Sequence, residues 1–309
     1  MKIAFCFAGQ GSQYVGMGLD FYNYLEEAKE TYDKFPEIRD LCFYDKSNVL
    51  NQTAYAQKAM LLTGFIIANA LKKKGIVPTY ACGLSLGEYS ALTFANTWTL
   101  EDAIDIISYR GRIMQDALPL GTTKMAAVLG MERAAILETL KSVSGICEIA
   151  NYNCPGQIVI SGEIESVDMA MELLIANGAK RCIPLNVSGA FHSSLLVPAS
   201  NDLKEKLDSV KYNKPEYKIV YNVSGKEETR DINDILQDQI CHSVYFEDSI
   251  NYLIDKGVDT FIEIGPGKTL SGFIKKISKD VNVYSITDIE SFNMVGGLLD
   301  ESCDCNRSI

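Results

Sequence analysis

The segment from Tyr80 to Ser90, YACGLSLGEYS, constrains the fold more than any other part of the chain. An apolar, strand-like approach ends at Gly83 and a helical pattern begins at Leu86, so Ser85 lies on the turn between a strand and a helix. Glycines two positions to either side of the serine allow the strand and the helix to approach closely. Gly-x-Ser-x-Gly in this context is typical of a nucleophile elbow and predicts an α/β fold. Chance occurrence in a loop is the alternative for the five-residue pattern taken alone.

Length and charge limit the kinds of protein this chain can be. Its 309 residues are enough for one large domain with an insertion or for two domains. The net charge of −11 disfavours nucleic acid and anionic membranes as partners. Nine cysteines, mostly single and within apolar segments, are typical of a reduced protein, so we expect a cytoplasmic location. The most apolar interior segment, residues 59–71, is interrupted by polar residues, which predicts a buried helix and no membrane span.

The start of the chain has the pattern of a strand that enters a ligand-binding turn. Ile3–Phe7 is a short β-like run, and residues 9–13, GQGSQ, follow it directly. Open α/β folds bind ligands at the carboxyl edge of the sheet, where such a turn presents backbone N–H groups. An ordinary strand-to-helix turn is the alternative.

Helical patterns cover about residues 19–35, 54–74 and 100–117. The third pattern begins after Thr99, a candidate N-cap, and it carries Arg110 near its apolar face. A buried arginine must be paired with a protein carboxylate or with a ligand anion. Spacing alone favours the protein carboxylate.

Between residues 125 and 185 the pattern changes to β-α-β-β-α-β, the order of a ferredoxin-like arrangement. Residues 151–156 are expected to form the turn between its middle strands. We therefore expect a large α/β-hydrolase-like domain made of residues 1–122 and 190–295, with an inserted small ferredoxin-like α+β domain of residues 123–189. Residues 296–309 are expected to form a flexible tail.

Two histidines, His192 and His242, are the candidates for the general base that a serine nucleophile needs. His192 lies in a loop of small residues before a predicted helix at 195–207, where a side chain can face a cleft. His242 lies beside the β-like residues 244–246. We favour His192 as the base, with a histidine that only caps the helix as the alternative.

The C-terminal part returns to an α/β pattern, with strands at 218–221 and 260–264 and helices at 246–256 and 269–277. A second glycine-rich turn, GPGK at 265–268, follows the last of these strands. Turns of this kind at both ends of the chain suggest that both halves contribute to one sheet edge. Candidates for a basic docking patch are Arg181, Lys268, Lys275 and Lys276, although lysines near a helix end also suit a capping role.

Five motifs occur in order, and together they indicate a family. They are GQGSQ at 9–13, GLSLGEYS at 83–90, YRG at 109–111, FHS at 191–193 and EIGPGK at 263–268. With these motifs, residues 1–290 resemble the malonyl-CoA:acyl carrier protein transacylases of dissociated fatty-acid synthesis. In that family a large α/β-hydrolase-like domain carries a ferredoxin-like insertion. The resemblance implies malonyl transfer from malonyl-CoA to acyl carrier protein, with no metal or organic cofactor.

The resemblance also implies roles for individual residues. Ser85 resembles the nucleophile that takes the malonyl group from coenzyme A, and His192 resembles its general base and later acid. The backbone N–H groups of Gln10 and Leu86 resemble the oxyanion hole. Arg110 resembles the residue that binds the malonyl carboxylate, which reverses the preference drawn from spacing.

The remaining resemblances concern the pocket and the orientation of the base. Phe191 matches a bulky residue that the family associates with unbranched malonyl, so methylmalonyl is expected to fit poorly. Met114, Asn151 and Asn153 resemble the pocket wall. Tyr245 stands where a backbone carbonyl orients the catalytic histidine, so its carbonyl is expected to do so here, without an acidic third triad member.

Three other functions use parts of the same pattern. A stand-alone acyltransferase that loads a polyketide synthase has the same chemistry and a different carrier. A serine hydrolase or thioesterase has the same elbow, but a pocket for neutral acyl chains would not favour a buried Arg110. A non-catalytic docking member of the family is disfavoured by the joint presence of Ser85, Arg110 and His192. The favoured partners are malonyl-CoA and acyl carrier protein, and we expect a monomer.

Overall fold

The computed structural model describes residues 1–187 and 189–305, with side chains as far as residue 297. Within these residues, two five-stranded sheets form the framework of a mixed α/β fold. The strands are β1 (Ile3–Phe7), β2 (Tyr80–Gly83), β3 (Thr123–Leu129), β4 (Cys147–Cys154), β5 (Gln157–Glu163), β6 (Arg181–Pro184), β7 (Lys218–Ile219), β8 (Val244–Tyr245), β9 (Thr260–Ile264) and β10 (Asn282–Ile286).

Helices connect these strands. They are α1 (Leu19–Tyr24), α2 (Glu26–Lys34), α3 (Pro36–Phe43), α4 (Thr53–Lys73), α5 (Leu86–Phe94), α6 (Leu100–Asp116), α7 (Arg133–Leu140), α8 (Ile164–Ala176), α9 (Val197–Asp208), α10 (Ile232–Cys241), α11 (Phe246–Asp255), α12 (Thr269–Ile277) and α13 (Ile289–Cys305). No helix in the described part of the chain is long and apolar enough to cross a membrane.

The first sheet is parallel, in the strand order β10-β9-β1-β2-β7. β1, β2 and β9 are buried throughout, as expected for parallel strands with both faces covered. The chain continues from β1 to β2 on one side and later adds β9 on the other, so β1 lies at the switch point of the strand order. Ligands of such sheets bind beyond the carboxyl ends of the strands at this point. The turns after Phe7 and Gly83 lie at that edge.

The second sheet has the strand order β6-β3-β5-β4-β8. Its first four strands come from one continuous stretch, in the chain order β3, α7, β4, β5, α8, β6, and they pair antiparallel. β8 comes from later in the chain and pairs in parallel with β4, where Asn151 faces Val244. This pairing joins residues 123–184 to the rest of the chain.

The largest core cluster surrounds α4, which packs against α5 and α6. Most residues of α4 are buried, as expected for a helix that is apolar on several faces. The helix ends in Lys72 and Lys73, and the helix dipole favours such cations near its C-terminus. Gln57 on α4 meets Arg110 on α6 across this contact, which places a buried polar pair beside the first sheet.

The helices and strands predicted from sequence are present with shifted ends, but two of them differ in form. The predicted helix at 19–35 is divided into α1 and α2, because Leu25 between them is extended, with φ −114° and ψ 122°. Residues 151–154 are not part of a turn, because they continue β4 as far as the pair Cys154 and Gln157. Only Pro155 and Gly156 remain as the turn, and Gly156 has a φ of 72°.

Three further differences concern helices. The sequence did not predict α3, which begins with a proline at its first position, or α10. The flexible tail expected from residue 296 is helical as far as Cys305, where α13 ends. The last part of that prediction, residues 306–309, lies outside the described residues.

Candidate active site

Ser85 lies on a sharp turn between β2 and α5, with φ 53° and ψ −106°. The two flanking glycines are required by close approach. A Cβ at Gly83 would lie 2.0 Å from the carbonyl carbon of Gly87, and one at Gly87 would lie 2.1 Å from the carbonyl oxygen of Phe7. The predicted elbow is therefore present, and it holds a residue with a side chain in a conformation that such residues rarely adopt.

The structure brings His192 to Ser85, as the sequence predicted. Ser85 Oγ lies 2.8 Å from His192 Nε2, and His192 Nδ1 lies 2.8 Å from the carbonyl oxygen of Gln239. A carbonyl only accepts, so Nδ1 carries the proton and donates it to Gln239. Nε2 is then free to accept the Ser85 hydroxyl proton, as a general base must. The ring of His242 instead contacts Asp238 and Cys241, and it makes no hydrogen bond to Ser85 or His192.

The carbonyl that orients the histidine belongs to Gln239 and not to Tyr245, which corrects the sequence-based expectation. The Tyr245 carbonyl accepts a hydrogen bond from Ser249 Oγ at 2.7 Å, and its ring stacks on Tyr152. Gln239 lies in the last turn of α10, where backbone carbonyls accept no hydrogen bond from within the helix. A helix end aimed at the histidine therefore supplies this contact.

Arg110 is fully buried and reaches the nucleophile. Its Nη1 donates to Gln57 Oε1 at 2.8 Å, and its Nη2 donates to Gln239 Oε1 at 2.9 Å and to Ser85 Oγ at 3.1 Å. Its guanidinium also lies 4.9 Å from the ring centre of Tyr89. No carboxylate among residues 1–187 and 189–297 forms an ion pair with it. The protein carboxylate favoured by spacing alone is absent, and the buried cation faces the site.

Burial and charge shift the protonation of the groups around Ser85. Burial, together with the nearby Arg110 cation, lowers the pKa of His192 to about 4. Burial also raises the pKa of Glu88, beneath the elbow, to about 8. The base is therefore neutral at neutral pH, and Arg110 is the cation of the site.

Gln10 and Leu86 are the two residues whose backbone N–H groups were predicted to form the oxyanion hole. Gln10 follows β1, Leu86 begins α5, and both residues line the same cavity as Ser85. Neither N–H donates to a protein acceptor within residues 1–187 and 189–305. The Leu86 N–H lies at a helix N-terminus, where backbone N–H groups are unpaired and negative charge is favoured.

The cavity in front of Ser85 has a volume of about 1050 Å³. Met114, Asn151 and Asn153, the residues predicted for the pocket wall, line it, and so does Phe191. Both asparagines belong to β4, whose pairing with β5 shifts register between Tyr152 and Cys154, and both reach the cavity. Asn153 Oδ1 is buried and has no hydrogen-bond partner among the described residues, so it is available to a ligand.

Comparison with known proteins identifies the family. The acyl transferase domain family matches residues 4–306. The chain belongs to this family. A malonyl CoA-acyl carrier protein transacylase of Bacillus subtilis is 42% identical, and the alignment covers 98% of this chain and 99% of the relative. One of Staphylococcus aureus strain MRSA252 is 41% identical, with 94% and 96% covered.

Solved structures of similar proteins have the same fold. A malonyl CoA-acyl carrier protein transacylase from Clostridium perfringens has a TM-score of 0.97 and 41% identity, with 100% of both chains covered. A malonyl-transacylase in complex with a type II PKS acyl-carrier protein has a TM-score of 0.91 and 32% identity, with 94% of this chain and 98% of that chain covered.

Sequence reasoning missed three polar residues in the site of this acyl transferase. Gln57 and Gln239 hold the Arg110 guanidinium, and Asn222 contacts the backbone of the elbow. For Gln239 a signal was present, because Asp231 is an N-cap followed by apolar residues with helical spacing. Asn222 had no local signal, since it follows the two-residue strand β7.

Proposed function

We propose that this chain transfers the malonyl group of malonyl-CoA to the phosphopantetheine thiol of acyl carrier protein through a malonyl-Ser85 intermediate, supplying fatty acid synthesis. The observation that carries the proposal is the Arg110 guanidinium, fully buried without a carboxylate partner among the described side chains and 3.1 Å from Ser85 Oγ. A cation at this place suits an acyl group that itself bears a carboxylate. The curated relatives and several solved neighbours bear the name of this activity.

In the first half-reaction, His192 Nε2 takes the Ser85 proton while Oγ attacks the thioester carbonyl carbon of malonyl-CoA. The carbonyl oxygen becomes an oxyanion, for which the N–H groups of Gln10 and Leu86 are the proposed donors. Collapse of the tetrahedral intermediate breaks the carbon–sulfur bond. The thiolate of coenzyme A leaves with the proton that His192 returns, and malonyl-Ser85 remains.

The second half-reaction reverses these roles. His192 takes the proton of the carrier thiol, the thiolate attacks the malonyl-Ser85 ester, and Ser85 Oγ leaves with the proton from His192. The Gln239 carbonyl keeps Nδ1 protonated in both halves, so the proton always moves through Nε2. The proposed cycle uses no metal or organic cofactor.

Selectivity for malonyl is proposed to come from Arg110 and the pocket wall. A planar guanidinium can bind a carboxylate with two parallel hydrogen bonds, which a neutral acetyl group cannot accept. Phe191 and Met114 are buried against the cavity and leave little freedom for a branch on the acyl chain. We therefore expect malonyl to be preferred over acetyl and over methylmalonyl.

We infer the finer architecture from the same topology. The parallel sheet with a nucleophile elbow supports an α/β-hydrolase-like large domain, for which we propose residues 1–122 and 190–295. The strand order β6-β3-β5-β4 and the alternation of strands and helices support a ferredoxin-like insertion, for which we propose residues 123–189.

A polyketide carrier is the second candidate acceptor, because one structural neighbour was solved with a type II PKS acyl-carrier protein. The chemistry at Ser85 is the same for both carriers. Side-by-side transfer from malonyl-Ser85 to a fatty-acid carrier and to a type II PKS carrier would show which one is used faster.

The test of the proposed function is intact-protein mass after brief mixing with malonyl-CoA, acetyl-CoA or methylmalonyl-CoA. We expect a malonyl adduct that is absent in Ser85→Ala and that persists until a carrier thiol is added. Release of coenzyme A without a lasting adduct would indicate a hydrolase instead. If no adduct forms and no coenzyme A is released, the chain is not an active acyltransferase.

A further inference from the structure

The side-chain amide of Asn222 bridges the backbone on both sides of the nucleophile turn. Its Oδ1 accepts from the Ser85 N–H at 2.7 Å, and its Nδ2 donates to the Gly83 carbonyl oxygen at 2.7 Å. Asn222 is 1% exposed, so neither bond competes with water. The chain places it there because β7 runs parallel to β2, and Asn222 lies three residues beyond Ile219, the last paired residue of β7.

The amide has only one orientation that satisfies these two groups. The Ser85 N–H is a donor and the Gly83 carbonyl is an acceptor, so a flipped amide would oppose donor to donor and acceptor to acceptor. Loss of the side chain would leave both backbone groups buried without a partner, which is costly. The contact therefore requires the oxygen and the NH₂ group of an asparagine side chain.

Ser85 needs such a restraint. Its conformation, φ 53° and ψ −106°, is disfavoured for a residue with a side chain and persists only where surrounding contacts hold it. Asn222 holds its N–H, and Gln239 Nε2 holds its carbonyl oxygen at 2.9 Å. Asn222 also occupies the Ser85 N–H, which leaves the Leu86 N–H as the elbow's donor toward the cavity.

Asn222 is itself held from two sides. Its backbone N–H donates to Glu88 Oε2 on α5, and its carbonyl accepts from the Tyr245 N–H at 2.8 Å. The bonds to α5 and β8 keep its backbone fixed while its side chain reaches the turn. The bridge thus connects the elbow to the strand that joins the second sheet.

We propose that Asn222 is a positioning residue for the acyl transfer, holding Ser85 in its strained conformation so that Oγ meets His192 Nε2. It acts through Ser85 and makes no contact with the acyl group. Its effect is therefore the same for every acyl donor, unlike that of Arg110. This inference rests on the proposed function only for the choice of donor, because any reagent that reacts with Ser85 Oγ reports on it.

The experiment measures the rate at which a fluorophosphonate labels Ser85, beside the loading rates from malonyl-CoA and acetyl-CoA. In the labelling, the Oγ–phosphorus bond forms, fluoride leaves and His192 takes the hydroxyl proton. We expect Asn222→Ala to slow all three reactions by roughly 30-fold or more, with the malonyl-to-acetyl ratio and the KM for malonyl-CoA unchanged. The matched control is Asn69→Ala, which removes one asparagine bond to a backbone carbonyl within α4, and it should label at the wild-type rate.

Asn222→Asp gives a second test through pH. The introduced carboxyl can donate to Gly83 only when protonated, and several groups influence its charge. Glu88 accepts from the backbone N–H of this residue and disfavours the anion as it ionises near its pKa of about 8. Tyr221 and His192 are neutral between pH 5.5 and pH 8, because the pKa of Tyr221 is raised and that of His192 is lowered to about 4. The Arg110 cation, which donates to Gln239, favours the anion, whereas burial of the site disfavours it. We expect its labelling rate, relative to the wild type at the same pH, to fall at least tenfold from pH 5.5 to pH 8, while that of Asn222→Ala stays constant.

Three results would overturn the inference. They are Asn222→Ala labelling within threefold of the wild-type rate, Asn69→Ala slowing as much as Asn222→Ala, and Asn222→Asp without the relative pH dependence. Urea unfolding of each variant confirms that the labelled protein is folded. If malonyl loading is absent in the wild type while fluorophosphonate labelling still depends on Asn222, the proposed function fails and the positioning role stands.

Discussion

At the scale of single residues, Arg110 is the group expected to select the acyl chain. Removal of a charge-assisted contact to a bound carboxylate costs about 2–5 kcal/mol. Arg110→Ala should therefore slow malonyl loading of Ser85 by roughly 30-fold to several thousand-fold and slow acetyl loading much less. Arg110→Lys keeps the charge and loses the two parallel donors, so its malonyl loading rate should lie between those of the wild type and Arg110→Ala. The measurement is single-turnover loading from both donors, and an equal loss for both would remove Arg110 from the selective role.

The second prediction at this scale concerns the pH dependence of His192. Its pKa is lowered to about 4, first by burial and then by Arg110, so the neutral base persists far below the usual pKa near 6.5. Loading of Ser85 should be independent of His192 protonation from pH 8 to pH 5.5 and should decline only near pH 4. In Arg110→Ala the decline should move to higher pH, because a repelling cation is gone. A wild-type decline centred near pH 6.5 would contradict the buried, neutral histidine.

The same shift affects stability, with a sign that follows from proton binding. Between about pH 4 and the ordinary pKa of histidine, the unfolded chain binds a proton at this position and the folded chain does not. The contribution of His192 to the free energy of unfolding therefore decreases as the pH falls through this range. Acid thus destabilises the site before it protonates the base in the folded protein.

At the scale of elements, the elbow depends on how closely α5 approaches β1. A Cβ at Gly87 would lie 2.1 Å from the Phe7 carbonyl oxygen, which is backbone and cannot turn aside as a side chain can. Gly87→Ala should therefore lower the free energy of unfolding by about 3 kcal/mol or more. The control is Gly272→Ala in α12, where nothing lies within 4 Å and alanine should be neutral or stabilise by about 0.5–1 kcal/mol. Urea unfolding measures the free energy of unfolding of both variants. Similar changes in Gly87→Ala and Gly272→Ala would contradict close approach at the elbow.

Local patterns explain which elements could be predicted from sequence. The elbow, α4 and α6 have their signals within a few residues, as glycine spacing, apolar periodicity or an N-cap. The contact between His192 and Gln239 joins residues 47 positions apart, and it depends on where α10 ends in space. For this reason Tyr245 was wrongly predicted to supply the carbonyl that orients His192, since a sequence does not show where a backbone carbonyl points. The buried partners Gln57 and Asn222 were missed because polar residues on a helix or after a short strand are usually exposed.

At the scale of the whole molecule, a net charge of −11 makes the docking of an acidic partner depend on a local basic region. Lys276 Nζ donates to Gln157 Oε1 at 3.3 Å, and Gln157 lines the cavity. Arg181 is opposite Leu129 on one side, and Gln157 is opposite Leu129 on the other, so Arg181 lies in the same row of the second sheet as the residue that Lys276 contacts. Neither cation has an ion-pair partner among residues 1–187 and 189–297, so both remain available to a bound anion.

This row predicts how charge reversal changes the use of the carrier. Lys276→Glu and Arg181→Glu should each raise the KM for phosphopantetheinylated acyl carrier protein roughly fivefold, about 1 kcal/mol, with kcat nearly unchanged. The effect should weaken as salt increases, because exposed charges are screened over about 10 Å at 0.1 M. Lys211→Glu, at an exposed lysine outside the cavity lining, is the control of equal charge change. Loading from malonyl-pantetheine, which has no phosphate, should be unaffected in all three variants. If the KM for the carrier rises equally in the control, the net charge of the molecule, and not this row, governs docking.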